Sequence, residues 1–151
     1  MNSAEANSLH RLATLQRLAA QQEDHAARQL ADALAKHANA GDRHAELLQY
    51  EIEYASRVPA TNGVMALTHH AGFLAKLRDA VHFQHERVGH LATEVERARL
   101  RWIALHREVE KLEQLGDAAR RQIAVGESRR ESRDLDELAT RSWVRQQAVG
   151  W

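Results

Sequence analysis

The chain has 151 residues, with 21 Lys and Arg balanced by 21 Asp and Glu, no Cys and one Pro. That balance excludes a tail that binds nucleic acid or anionic lipid through bulk field, and the missing cysteines exclude disulfides, thiol nucleophiles and thiolate zinc sites. No apolar run approaches the ~18 residues of a membrane span, and the opening MNSAEANSLHRL lacks the apolar core of a signal peptide, so a cytoplasmic protein without direct membrane insertion is expected.

The first element predicted is a helix over about 4–57. These residues are rich in Ala, Leu, Gln, Glu and Arg, all good helix formers. Stepping by seven from Leu12 gives Leu12, Ala19, Ala26, Ala33, Ala40, Leu47 and Tyr54, a regular and mostly small-sided seam. The adjacent column, Ala13, Ala20, Ala27, Leu34, Gly41, Leu48 and Ala55, is read as its companion. The positions between are weaker: Leu15, Gln22, Leu30, His37 and His44.

A turn is predicted over 58–63, where Pro59, Asn62 and Gly63 cluster. No segment carries the alternating pattern of a strand.

The second helix is predicted over about 64–142. Its main column is Leu67, Leu74, Val81, Val88, Val95, Trp102, Val109, Gly116 and Ile123. Three residues on in each heptad come His70, Leu77, Gln84, Leu91, Ala98, Leu105, Leu112 and Ala119. A strict heptad seam of this length implies left-handed supercoiling against a partner. The nearest partner is the first half of the chain. A short turn makes the two helices antiparallel, and the Ala-rich seam then meets the Val/Leu/Trp seam. The expectation is therefore an all-α fold, an antiparallel two-helix coiled-coil hairpin with a longer second helix, in one domain over 1–151.

At ~1.5 Å per residue the two helices span ~80 and ~115 Å, so with the turn near residue 61 the stretch from about Gly116 is expected to overhang. Arg130, Arg133, Asp134, Asp136 and Glu137 make it densely charged, while Leu135, Leu138 and Trp143 return apolar surface. Two readings stand, a solvated frayed tail or a segment ordered by a partner through Leu135 and Leu138.

Chemistry for catalysis is missing. A hairpin has no interior pocket, and no phosphate-cradling loop, nucleophile elbow or HExxH motif occurs. No enzyme, cofactor or metal site is therefore assigned. His82 and His85 share a helix face beside Glu86 and His90, but nothing fixes the further ligands a closed site needs. His37 and His44 read as neutral seam imidazoles. Phe73, Leu77, Ala80 and Gln84 form a stripe at the seam's flank, in which Leu77 and Gln84 serve the seam and Phe73 and Ala80 widen the apolar face. Phe73 either caps the hairpin core near the turn or anchors a docking partner.

Four segments in order resemble the flagellar export protein FliJ family over nearly the whole chain: Leu47–Tyr54, Phe73–Val81, Glu96–Trp102 with Glu108–Leu112, and Arg133–Arg141. They are similar to the family's "L..Y..EY", "FL..L..AI", "AR..W" with "KVKALEKL", and "LDELA.RR" patterns. The resemblance implies a non-enzymatic coiled-coil shaft and adaptor of the flagellar type III export apparatus, cytoplasmic and held peripherally at the inner membrane. It implies contact with the hexameric export ATPase (FliI) through the open end of the hairpin, here Leu9, Leu12, Arg130, Arg133, Leu135 and Leu138. It implies contact with the cytoplasmic domain of the export gate (FlhA) through Phe73, Leu77, Ala80 and Gln84. The fourth position is often a different polar residue, a histidine in some members. Binding of export chaperones is a further implied role. Leu74, Val81, Val88, Leu91, Val95, Trp102, Leu105, Val109 and Leu112 are left to the seam, and the free chain is expected to be monomeric. The alternatives are the stalk of a virulence type III secretion system and a generic self-associating coiled coil.

Overall fold

A computed structural model describes residues 1–57, 59 and 63–150. They form two helices, α1 over Ser3–Ser56 and α2 over Val64–Val149. The turn expected over 58–63 falls largely on Val58, Ala60, Thr61 and Asn62, which lie outside the described residues. α2 continues to Val149 rather than stopping near 142. The reason is local: no Pro or Gly occurs between Gly126 and Gly150, so nothing breaks the helix earlier.

The ends are built from identifiable caps. Asn2 Oδ1 accepts from Glu5 N–H at 2.8 Å, and Glu5 Oε2 accepts from Asn2 N–H at 2.8 Å. This is a reciprocal capping box that satisfies two donors otherwise orphaned at the first turn. It holds the Glu5 carboxyl below its usual range, through the Asn2 hydrogen bond first and the Arg130 charge after it. At the other end of α1, Ser56 Oγ donates to Glu53 O at 2.8 Å, and Pro59 follows shortly. α2 opens with Gly63 O accepting from Leu67 N–H at 3.1 Å.

The packing divides into two units. In the unit Glu23–Leu105, Tyr54 meets His70, Glu51 meets Arg78, Ala40 meets Gln84 and Gln29 meets Arg101. Partner numbers rise on α2 as they fall on α1, so the helices are antiparallel. In the unit Met1–Gln22 with His106–Trp151, Gln16 meets Leu112 and the Met1 amine meets Glu127, again antiparallel. The fold is an all-α, two-helix coiled-coil hairpin with the longer helix second.

The positions of the heptad columns read from sequence are covered on α2 from Leu74 to Ile123, and Ile103 and His106, each one residue past a column, are half-covered as well. Leu67 departs: it is exposed and Ala66 is covered instead, while His70 is covered as its column requires. On α1 the Leu12–Tyr54 column is covered throughout, with Ala19, Ala26 and Ala40 buried. Its companion is a correction. The Ala13 column is exposed apart from Gly41, and the second half of the seam is Leu9, Gln16, Glu23, Leu30, His37, His44 and Glu51. The Ala13 column lies one residue on, a rotation of ~100° that carries it out of the interface. Leu15 and Gln22 are likewise exposed, one residue short of the seam.

Two seam glutamines use the small residues opposite them. Gln84 Nε2 donates to Ala40 O at 3.0 Å, buried in the seam. Gln16 Nε2 donates to Leu112 O at 2.9 Å, and a Cβ on Gly116 would stand 2.5 Å from that nitrogen. Gly116 is thus the opening through which Gln16 reaches the carbonyl one turn back. Gly116→Ala should be close to neutral, because a helix gain of ~1 kcal/mol offsets a lost hydrogen bond of ~1 kcal/mol. In a Gln16→Ala background the same change should stabilise by ~1 kcal/mol. A thermal melt of the four proteins in the cycle checks this, and strict additivity would refute the Gln16–Gly116 coupling.

Candidate functional site

The candidate sites are faces of helices, and each sequence-predicted residue can be placed on one. The Phe73–Gln84 stripe splits. Leu77 and Gln84 are buried in the seam, and Gln84 is committed to the α1 backbone. Phe73 is 43% exposed and Ala80 is exposed. Phe73 leans on Tyr54 with ring centroids 4.6 Å apart, and Tyr54 stacks on His70 at 4.7 Å. His70 Nε2 is also within 3.1 Å of Tyr54 O. Tyr54 of α1, itself stacked on His70 of α2, therefore holds Phe73 in place while leaving much of it to solvent.

At the other group of predicted contacts, Leu9 and Leu12 are half-buried in the α1 seam. Arg130 reaches Glu5 Oε1 at 3.4 Å, an exposed pair that solvent screens. Arg133 is exposed, as are Leu135 at 67% and Leu138 at 61%. The overhang begins later than the sequence placed it. Gly116 is buried, and Ala119, Ile123, Gly126 and Glu127 are half-covered, so α1 accompanies α2 to about residue 127. A register centred on a turn near residue 61 ends the accompanied part of α2 near Gly116; the observed Met1–Glu127 pair shows a larger offset. From 128 to 150 every residue is exposed.

The predicted seam residues Leu74, Val81, Val88, Trp102, Leu105, Val109 and Leu112 are half-buried on α2, and Leu91 and Val95 are buried. The histidines pair locally: His82 Nε2 lies 3.3 Å from Glu86, and the His85 ring sits 5.4 Å from His44 across the seam. Among the described residues no group of three His, Cys, Asp or Glu side chains is placed to hold a metal ion, and no helix is long and apolar enough to cross a membrane.

One feature escaped the sequence reading. In the unit built from the start of α1 and the later part of α2, an open groove of about 1020 Å³ runs along one flank of the seam. Leu15, Leu115 and Val125 line it and stay about half exposed. Each directly precedes a seam residue. In an antiparallel pair the residues just before the seam fall on the same side of both helices, so the three converge. The signal was present in these flank positions, but it becomes visible only once the pairing is known.

Two packed helices with apolar anchors exposed on their surfaces define this as a coiled-coil hairpin. Residues 8–148 match the family model described as Flagellar FliJ protein, and the chain belongs to that family. It is accordingly a structural component of the flagellar protein export apparatus, associated with other components of it. No match is found among curated proteins or among solved structures.

Proposed function

We propose that the chain is a non-enzymatic shaft and adaptor that couples the export ATPase ring (FliI) to the cytoplasmic domain of the export gate (FlhA), on the cytoplasmic side of the inner membrane, and that it also receives unloaded export chaperones. The observation that carries the reading is the stretch 128–149: a continuous helix in which every side chain is exposed, Leu135 and Leu138 included. A helix that packs against nothing in its own chain is marginal in water, and exposed leucines at i, i+3 offer the edge a partner would cover. Its charges are dense and of both signs, giving many contacts of ~0–1 kcal/mol each, which suits a part that meets several ring subunits in turn. The test is a pulldown with the export ATPase, scored by stimulation of ATP hydrolysis. Stimulation with binding is the expected result; neither would leave only a generic coiled coil.

Gate binding is assigned to the exposed part of the stripe, Phe73 and Ala80, with Leu77 and Gln84 supporting it from within the seam. Leu77→Ala would weaken the hairpin itself, by ~2 kcal/mol or more, so it is a poor probe. Phe73→Ala and, separately, Ala80→Arg should each weaken gate binding at least tenfold, the loss of one central anchor. Titration calorimetry with the gate's cytoplasmic domain measures this, with circular dichroism as the check that the helices persist. Unchanged affinity in both variants would remove the stripe from the gate contact.

A further inference from the structure

The flank groove carries a charge pattern that its apolar floor does not require. Leu12, Leu15, Leu115, Ile123 and Val125 give it an apolar lining, and Arg11, Arg121 and Arg129 stand around that lining. Glu5 is the one carboxylate on the groove, and it is occupied by Asn2 and Arg130. The nearby carboxylates Asp117 and Glu127 are likewise paired, with Arg120 and with the Met1 amine. The three lining arginines make no ion pair among the described residues. In a chain whose formal charge sums to zero, this is a local excess of unpaired guanidinium beside exposed leucines.

From this juxtaposition we propose that the groove is the docking site of an acidic amphipathic helix from another protein, with its apolar side on Leu15, Leu115 and Val125 and its carboxylates on Arg11, Arg121 and Arg129. The inference rests on the reading above only in taking this end of the hairpin as partner-facing. Its reasons are physical. An apolar trough between two helices takes the apolar face of a third. Gly126, which lines the groove, stands at a seam position on this stretch of α2 with nothing within 4 Å of where a Cβ would be, so the third helix meets less obstruction there. Guanidinium groups select carboxylates, with two donors in a plane for two oxygens. From Glu5 to Leu15 α1 rises ~15 Å, the length of about three turns of a docked helix.

The test uses the full chain and a fluorescein-labelled, 14-residue helical peptide with leucines on one face and glutamates on both flanks. A twin carries lysine at every glutamate. Fluorescence anisotropy should show saturable binding of the acidic peptide and at least tenfold weaker binding of the twin. Arg121→Glu and Leu15→Glu, both at exposed positions, should each weaken the acidic peptide at least tenfold while leaving the helical signal unchanged. Equal binding of the two peptides, or affinity retained in Leu15→Glu, would overturn the proposal. Sedimentation of the chain alone decides the rival occupant: a dimer dispersed by Leu15→Glu would give the groove to a second copy and overturn it as well. The ATPase assay is separate. No peptide binding with intact ATPase stimulation sinks this inference alone, whereas peptide binding without ATPase stimulation supports it and sinks the shaft reading.

Discussion

Val95→Asp is expected to lower the stability of the hairpin by ~3 kcal/mol, against less than ~1 kcal/mol for the neighbouring Ala92→Asp. Val95 is 8% exposed, at the centre of the α2 seam, whereas Ala92 faces solvent. The change removes two buried methyl groups, worth ~1 kcal/mol or more. It also drives a carboxylate into the interface, where an unpaired charge costs several kcal/mol unless it is protonated. At the solvent face an aspartate costs only its helix propensity, under ~0.7 kcal/mol relative to alanine. A two-helix interface has no third layer to share the loss. For a chain of this size ~3 kcal/mol corresponds to a fall in Tm of ~10 °C, readable by circular dichroism at 222 nm. Similar melting temperatures for the two variants would show that Val95 is not part of a continuous buried seam.

The double change Leu135→Ala, Leu138→Ala should have the largest effect on function and almost none on the fold. Both leucines are well over half exposed, so truncation leaves no cavity, and alanine is as good a helix former as leucine or better. If the ATPase ring takes this face, the pair forms the apolar centre of the contact, and truncating two such anchors costs at least ~1.4 kcal/mol, or tenfold. The expected result is at least tenfold more of the chain needed for half-maximal stimulation of ATP hydrolysis, with the melting curve unmoved. Stimulation at wild-type concentration would place the ring contact elsewhere. Arg133→Ala serves as the comparison. It is a single exposed charge, and its loss should change the half-maximal concentration by less than about fivefold.

These predictions divide according to how legible their residues were. The α2 seam could be read in advance because large Val, Leu and Trp side chains recur every seven residues among charged ones, and only one heptad phase collects them. The α1 seam could be read only by half. Alanine fills both the covered Leu12 column and the exposed Ala13 column, so hydrophobicity does not choose between them. The true companion column is largely polar, with Gln16, Glu23, His37, His44 and Glu51, and it is held because those side chains reach partners or solvent at the seam's edge. Phe73 was equally undecided until its contact with Tyr54 showed it both packed and exposed.

By itself the sequence determined the helical class, the two-element order and the family resemblance. Those follow from local quantities: helix propensity, a seven-residue repeat, one Pro-Asn-Gly cluster, and short motifs in order. Only the tertiary structure decided the offset between the helices, and three things depend on that offset. It sets where the unaccompanied part of α2 begins, at about 128 rather than 116. It sets which α1 column faces the seam. It also brings Leu15, Leu115 and Val125 to one groove beside unpaired arginines. An offset is a relation between residues far apart in sequence, and Ala-rich seams tolerate several offsets at similar energy. Here the Gln84–Ala40 hydrogen bond, with the half-buried Gln16–Leu112 bond beside it, favours one, because the buried Gln84 amide left without its carbonyl would cost ~1–3 kcal/mol.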